Sequence, residues 1–505
     1  MKYDVLISGA GPTGIMAANL LGKAGLSVAV FDKESDIYPL PRAAVIDDDI
    51  ARIVQHAGLA DELNKVTSVS KGYRFLNQEN QVMFGFVRDE TPSMHGYPTS
   101  FCIRQPEVEK VLRNGLQQYE NVTLLSSHEV IGIEQLENEV ELAVLSKEDN
   151  QTKKFVGNYV IAADGARSFI RKSLNIPFDD LKFDHPWLIL DFEVTDDLEL
   201  EKLNTQYCIP SRPVTFLYLG RNLYRYEIML KPGETPESLQ SEEAVKEILK
   251  EFIDPNKVII ERFVTYTFHA LIASKWRENR IFLVGDAAHQ MPPFLGQGLS
   301  SGIRDAANIA WKVEHAVKFG ANEELLNSYQ EERYLHVHNI MKQAIALGNI
   351  IQAPTEELAD FRDSIFKYLN SIPNINQALN NIERSKSPIG KGLHHESLVA
   401  TETLTCPQFL INGQLSDVLI NRQFTLLAHP NVDVSKLTQA YAEYNIVQLP
   451  NNAEIVEWFS NKDATIAVVR PDSYVYAYAT EQTIGKVILD LEAIISIKDK
   501  RGVVL

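Results

Sequence analysis

Three stretches of this chain combine glycine with aspartate or a helix start in the way turns do when they meet phosphate or sugar. The first, Gly9-Ala10-Gly11-Pro12-Thr13-Gly14, fits G-x-G-x-x-G. Glycines at this spacing let backbone N–H groups approach a pyrophosphate at the positive end of a helix. About 18 residues beyond Gly14, Asp32 stands where a carboxylate accepts hydrogen bonds from a ribose, with Lys33 beside it. The second stretch is Asp164-Gly165-Ala166-Arg167-Ser168. The third is Gly285-Asp286-Ala287-Ala288-His289, followed by Pro292-Pro293 and by Gly296-Gln297-Gly298-Leu299-Ser300. One pyrophosphate site accounts for one such turn, so three of them imply a longer ligand.

Each turn needs a strand to deliver it. Residues 3–7 are an apolar run before the first glycines, 15–24 read as helix, and 27–31 are apolar again, which gives strand, turn, helix, strand. Runs at 159–163 and 280–284 end in the second and third turns, and a helix is expected from about Ser301. Alternating segments at 187–194, 214–219 and 224–230 predict an antiparallel sheet that covers something. The expected fold class is α/β. A Rossmann-like domain over 1–180 and 273–370 is interrupted by the sheet at 181–272, with a further insertion near 75–100. A long helix or helix pair at 321–352 is broken at Pro354, and 371–399 read as a linker. The pattern then restarts, and 400–505 predict a small α/β domain.

The chain's 505 residues leave room for roughly three structural units. A composition of 45% hydrophobic and 23% charged residues excludes a disordered or fibrous chain. The net charge of -18 repels phosphate backbones and anionic lipid, so neither nucleic acid nor a membrane is an expected partner. No apolar run approaches the roughly 18 residues a membrane-spanning helix needs. Cys102, Cys208 and Cys406 are too scattered for a disulfide framework or a zinc pair. The simplest compartment is a reducing cytoplasm, and no metal is expected.

On these motifs the chain resembles FAD-dependent aromatic hydroxylases, the single-component flavoprotein monooxygenases. The likeness continues through Pro41-Arg42-Ala43, Arg104-Gln105-Pro106-Glu107, residues 266–269 and Trp276. It is closest to the 3-(3-hydroxyphenyl)propionate hydroxylase branch, through Phe183-Asp184-His185-Pro186-Trp187, Gln206-Tyr207-Cys208 and Ser301-Gly302-Ile303-Arg304-Asp305. The resemblance implies that FAD lies along the three turns. Gly9, Gly11, Pro12, Thr13, Gly14, Asp32 and Lys33 would hold its ADP end, and Gly285 and Asp286 the ribityl chain. Asp164 would stand between FAD and a visiting nicotinamide. Pro293 and the helix start at Gly298, Leu299 and Ser300 would face the flavin, and Arg42 and Gln105 would complete the contact. It also implies NAD(P)H as a transient co-substrate, O2, a small phenolic substrate and a flavin C4a-hydroperoxide as oxidant. The same relatives carry a thioredoxin-like C-terminal domain without redox cysteines, and a homodimer is compatible with the family.

Arg42, Tyr207, Arg225 and Pro293 are the candidate catalytic residues. Tyr207 and Arg225 lie on strands of the covering sheet, where packing competes with phenol and flavin contact as their role. Leu271 stands where an arginine is expected after Phe268-His269-Ala270, which keeps open a non-phenolic heteroaromatic or polyketide-like substrate. A flavin-binding assembly subunit without oxygen transfer is the remaining alternative. Asp47-Asp48-Asp49 read as acids favouring a helix N-terminus, and His289 as a residue that positions the Asp286 turn.

Overall fold

The computed structural model describes residues 2–39, 42–195, 198–380, 388–398 and 405–495. Pro41, the centre of the expected linker and the first residues of the expected C-terminal domain lie outside them. The chain opens with β1 (Lys2–Ser8), α1 (Pro12–Lys23) and β2 (Val28–Phe31). α2 (Asp48–His56), the hairpin β3 (Gly72–Leu76) and β4 (Val82–Val87), α3 (Gln105–Gly115), β5 (Val122–Leu125) and β6 (Thr152–Ala162) follow. The covering sheet brings β7 (Phe178–Val194), β8 (Asn204–Tyr207), β9 (Val214–Tyr218), β10 (Leu223–Met229), α4 (Glu242–Leu249) and β11 (Val258–Ala273). β12 (Ile281–Leu283) then returns to the first sheet, ahead of α5 (Gly298–Phe319), α6 (Glu323–Ile351), α7 (Glu356–Asn370) and α8 (Pro373–Leu379).

The first sheet has a parallel core in the order β12-β6-β1-β2-β5. Val5, Leu6 and Ile7, and Val28 to Val30, are fully buried, as strands covered on both faces must be. Parallel pairing puts the carboxyl ends of neighbouring strands side by side. The turns carrying Gly285, Asp164, Gly9 and Asp32 therefore line one edge in that order, the place where open α/β sheets bind ligands.

The second sheet runs β11-β7-β10-β9-β8-β3-β4. Its strands alternate between two cores. Leu188, Leu190, Phe192, Phe216, Tyr224 and Tyr226 pack outward with Val245 and Leu249 of α4. Trp187, Ile189 and Phe75 pack inward in the same core as the first sheet. The insertion expected near 75–100 enters this sheet as β3, already at Gly72.

α5 begins at Gly298, the helix start expected to face the flavin and three residues ahead of Ser301, after Gly296 ends the preceding turn with a left-handed φ of 63°. One expectation is corrected in the helical region. The expected linker contains α8, which starts at Pro373 with its fixed φ at the first helical position. After it, β13 (Thr425–Ala428), α9 (Val434–Ala440), β14 (Asn445–Gln448), α10 (Ala453–Ser460), β15 (Ile466–Val469), β16 (Val475–Ala479) and α11 (Ile484–Ile494) form a separate α/β unit. Its sheet order is β14-β13-β15-β16, with only the first pair parallel, as expected of a thioredoxin-like fold.

Buried ions seal this unit to the rest. Arg52 of α2 forks onto Asp417 at 2.6 and 2.7 Å. Glu332 of α6 receives Arg470 at 2.8 Å on both oxygens and Lys312 at 2.9 Å.

Candidate active site

The first turn is shaped by contact at two glycines and by open space at the third. Gly9 has φ +101°, and a Cβ there would meet the Ala163 carbonyl at 2.2 Å. A Cβ on Gly14 would meet the Gly9 carbonyl at 2.0 Å, whereas one on Gly11 meets no atom within 4 Å. Gly11 caps α1 without any side-chain hydrogen bond, so the first-turn N–H groups face the same open space with the positive end of the helix dipole. Asp32 Oδ2 accepts from Ala10 N at 2.7 Å and Oδ1 from Glu34 N at 2.9 Å. The acid therefore braces the glycine turn, with Arg113 at 3.9 Å. Lys33 is exposed. Pro12 opens α1, and Thr13 wedges against Gly285 and Gly302, where a Cβ would come within 2.8 and 2.3 Å of its hydroxyl.

The third turn is held from behind. Asp305 Oδ2 accepts from Gly285 N at 3.1 Å and pairs with His289 Nε2 at 2.7 Å, while Oδ1 accepts from Arg333 Nε at 2.8 Å. Burial works against the Asp305 charge, yet His289 and Arg333 hold its carboxyl below the usual range. His289 thus anchors the turn. Asp286, by contrast, is exposed. α5 starts beside it with Gln297 as an N-cap that makes no capping bond. The Ser300 hydroxyl is buried without a partner among the described residues; Leu299 and Pro293 are half-buried next to it. In the second turn, Asp164 accepts from Ile170 N at 3.0 Å, and burial pushes its carboxyl up.

Two uncapped helix starts, open space at Gly11 and an exposed Asp286 thus lie along one edge of the first sheet. A family model described as an FAD binding domain matches residues 2–344. A 3-(3-hydroxy-phenyl)propionate/3-hydroxycinnamic acid hydroxylase of Escherichia coli (strain SMS-3-5 / SECEC) is 30% identical, over 98% of this chain and 95% of the relative. The chain belongs to the FAD-dependent aromatic hydroxylase family. Solved structures share the fold of this hydroxylase. The flavin-dependent monooxygenase PieE, in complex with FAD and substrate, has a TM-score of 0.78 at 18% identity, covering 98% of this chain and 99% of its own. The anhydrotetracycline hydroxylase OxyS of Streptomyces rimosus has 0.78 at 21%, covering 99% and 100%.

Arg42 is exposed, with Tyr38 5.8 Å beneath its guanidinium. Its neighbour Ala43 donates to Gln105 Oε1 at 2.7 Å, and Gln105 in turn donates to Glu109. Arg225 forks onto Asp191 at 2.6 and 3.0 Å and donates to the Arg42 carbonyl at 2.6 Å. It positions the Arg42 loop. Phe294, next to Pro293, packs edge-on to Trp187 with centroids 5.7 Å apart, an aromatic wall between the third turn and the inner face of the second sheet.

Tyr207 is not brought to this place. It pairs with Val214 and lies on the outer face, against the core beneath α4. Pairing and alternation put Gln206 on the inner face instead, where its Oε1 accepts from Thr215 at 2.7 Å. Leu271 likewise alternates away from the fully buried Ala270 and Ile272, so an arginine there would not have pointed into the inner core. The sequence reading missed Asp191, Glu227 and Tyr73. Alternation along 224–230 contained the signal, since Arg225 and Glu227 share the face opposite Tyr224 and Tyr226. Asp47 and Asp49 are more than helix-favouring acids: Arg304 binds both, at 3.0 and 2.6 Å, and Gln297 donates to Asp47 at 2.7 Å. They tether the start of α5.

Proposed function

We propose that this hydroxylase adds one oxygen atom from O2 to the ring of a phenolic substrate, with NAD(P)H as a visiting reductant. The observation that carries the reading is the alignment of three Gly/Asp turns on one sheet edge, beneath a second sheet whose inner face mixes aromatic and ionic side chains. FAD, when bound, supplies the hydride acceptance and oxygen activation. The chain's own residues bind, orient and exclude water. The α1 start at Gly11 to Gly14 would take the pyrophosphate, Asp286 a ribityl hydroxyl, and the α5 start at Gly298 to Ser300 the polar edge of the flavin ring. Arg42 would touch the cofactor from the loop that Arg225 steadies. Trp187, Phe294, Phe75 and Phe84 supply apolar walls for a ring; Phe75 and Phe84 stack at 4.2 Å.

Such walls would suit a small, largely apolar aromatic. Cys102, Cys208 and Cys406 are buried apart from one another, an arrangement that suits a reducing cytoplasm. Among the described residues no helix is long and apolar enough to cross a membrane. The test is a panel of phenols and heteroaromatics given to the purified flavoprotein with NADH or NADPH. The expected result is phenol-dependent reductant oxidation with O2 uptake and a product one oxygen heavier. Flavin-bound protein that responds to no phenol would overturn the reading. Sedimentation of the same preparation reads the assembly, with a homodimer as the expected form.

A further inference from the structure

Glu227 lies in the middle of the inner face of the second sheet, beside Ile189 of β7 and Thr215 of β9. Only 7% of the residue is exposed. Its ion-pair neighbour, Arg225 Nη1, stands 3.7 Å away, beyond hydrogen-bond length. Arg225 directs Nε and Nη2 to Asp191 and Nη1 to the Arg42 carbonyl and also leans on Glu227; a carboxylate has about four lone-pair sites, so this one neighbour does not fill it. The other groups facing it are Asp191 of β7, Arg262 of β11 and Tyr73 of β3. Tyr73 shares a hydrogen bond with Thr215 and feels the Glu227 charge. Burial pushes the Glu227 carboxyl up, against the opposing pull of Arg225. A largely buried carboxylate on the inner face, where the reading above puts the substrate ring, has the properties of a general base whose pKa is raised.

We propose that Glu227 takes the proton from the ring hydroxyl of the substrate; the assignment rests on the phenol-hydroxylating reading above. The O–H bond breaks, the proton bonds to a Glu227 oxygen, and the electron pair stays on the phenolate oxygen. Negative charge moves from carboxylate to phenolate without any change in the net charge of the dry site. Arg225 and Arg262 offset it in both positions. The electron-rich phenolate is the better acceptor for an electrophilic oxygen. The assignment also orients the substrate: its hydroxyl meets Glu227, and any carboxylate it carries points away, since two carboxylates in one dry pocket repel.

The test compares wild type with Glu227→Gln and Glu227→Asp. All three should retain FAD. Glu227→Gln should hydroxylate phenol about 10²- to 10⁴-fold more slowly, with Glu227→Asp restoring part of the rate. The wild-type rate should fall as pH drops through the raised Glu227 pKa, and that acid limb should vanish in Glu227→Gln. Bound 4-nitrophenol gives a readout independent of turnover: wild type should show the phenolate absorption at pH values where Glu227→Gln shows the neutral phenol. Flavin-loaded Glu227→Gln that hydroxylates within about threefold of wild type, with the same acid limb, would overturn the assignment and leave the phenol reading standing. Wild type that binds FAD and hydroxylates no phenol would remove the reading itself, and the base with it.

Discussion

Replacing Gly11 with valine separates binding from folding. Gly11 has φ -71° and ψ 179°, a conformation open to any residue, and a Cβ there meets no protein atom within 4 Å. The apoprotein should therefore keep its stability within about 0.5 kcal/mol. The new side chain fills the space in which the first-turn N–H groups would meet a pyrophosphate. A hydrogen bond to a charged group is worth about 1.5–3 kcal/mol, so losing two costs about 3–6 kcal/mol, or about 10²- to 10⁴-fold in the Kd for FAD. Gly14→Ala is the control with the opposite pattern. Its Cβ would lie 2.0 Å from the Gly9 carbonyl, a backbone clash that overpacks the fold by about 1–3 kcal/mol. Flavin fluorescence titration gives the Kd, and urea unfolding of the apoproteins gives the stability. A stable Gly11→Val protein that binds FAD as wild type does would refute the placement of the pyrophosphate.

Glu332→Ala strips the buried Arg470 and Lys312 of a shared partner and should cost about 3–5 kcal/mol. Limited proteolysis should then release the C-terminal unit, and unchanged resistance would refute its role as a seal. Burial lowers the Lys312 pKa from 10.5 to about 8, with Glu332 opposing the shift. Between these values the unfolded chain binds more protons than the folded one, so this group makes stability rise with pH across that window. Lys312→Met should lose that rise in urea titrations, and an identical pH slope would contradict the assignment. Asp305→Asn leaves Arg333 without its countercharge and should cost about 3–5 kcal/mol, releasing FAD at lower urea than wild type. Equal retention would show that the Asp286 turn does not depend on His289 and Asp305.

The nucleotide half of the site was legible because it depends on local spacing. A glycine turn between a strand and a helix, and an acid at the end of the next strand, leave their pattern within about thirty residues. The substrate half depends on register. Tyr207 and Gln206 differ by one position, and on a strand one position exchanges the inner face for the outer, so a tyrosine chosen by residue type fell on the outer core. Arg225 was found, but its partner Asp191 lies on the neighbouring strand 34 residues away, and nothing local marks the pair. The seal between Arg52 and Asp417 spans 365 residues, which no periodicity reports. The start of α5 was legible to within three residues, but the Gln297 contact with Asp47 that tethers it spans 250 residues, which nothing local reports.

The most direct test of the account is the fate of oxygen. The purified chain, carrying one FAD, is given NAD(P)H, a phenol and isotopically heavy O2, and the product is weighed. The account predicts one heavy oxygen atom in the hydroxylated ring for each reductant consumed. Protein without FAD, or product whose new oxygen comes from water, would contradict it.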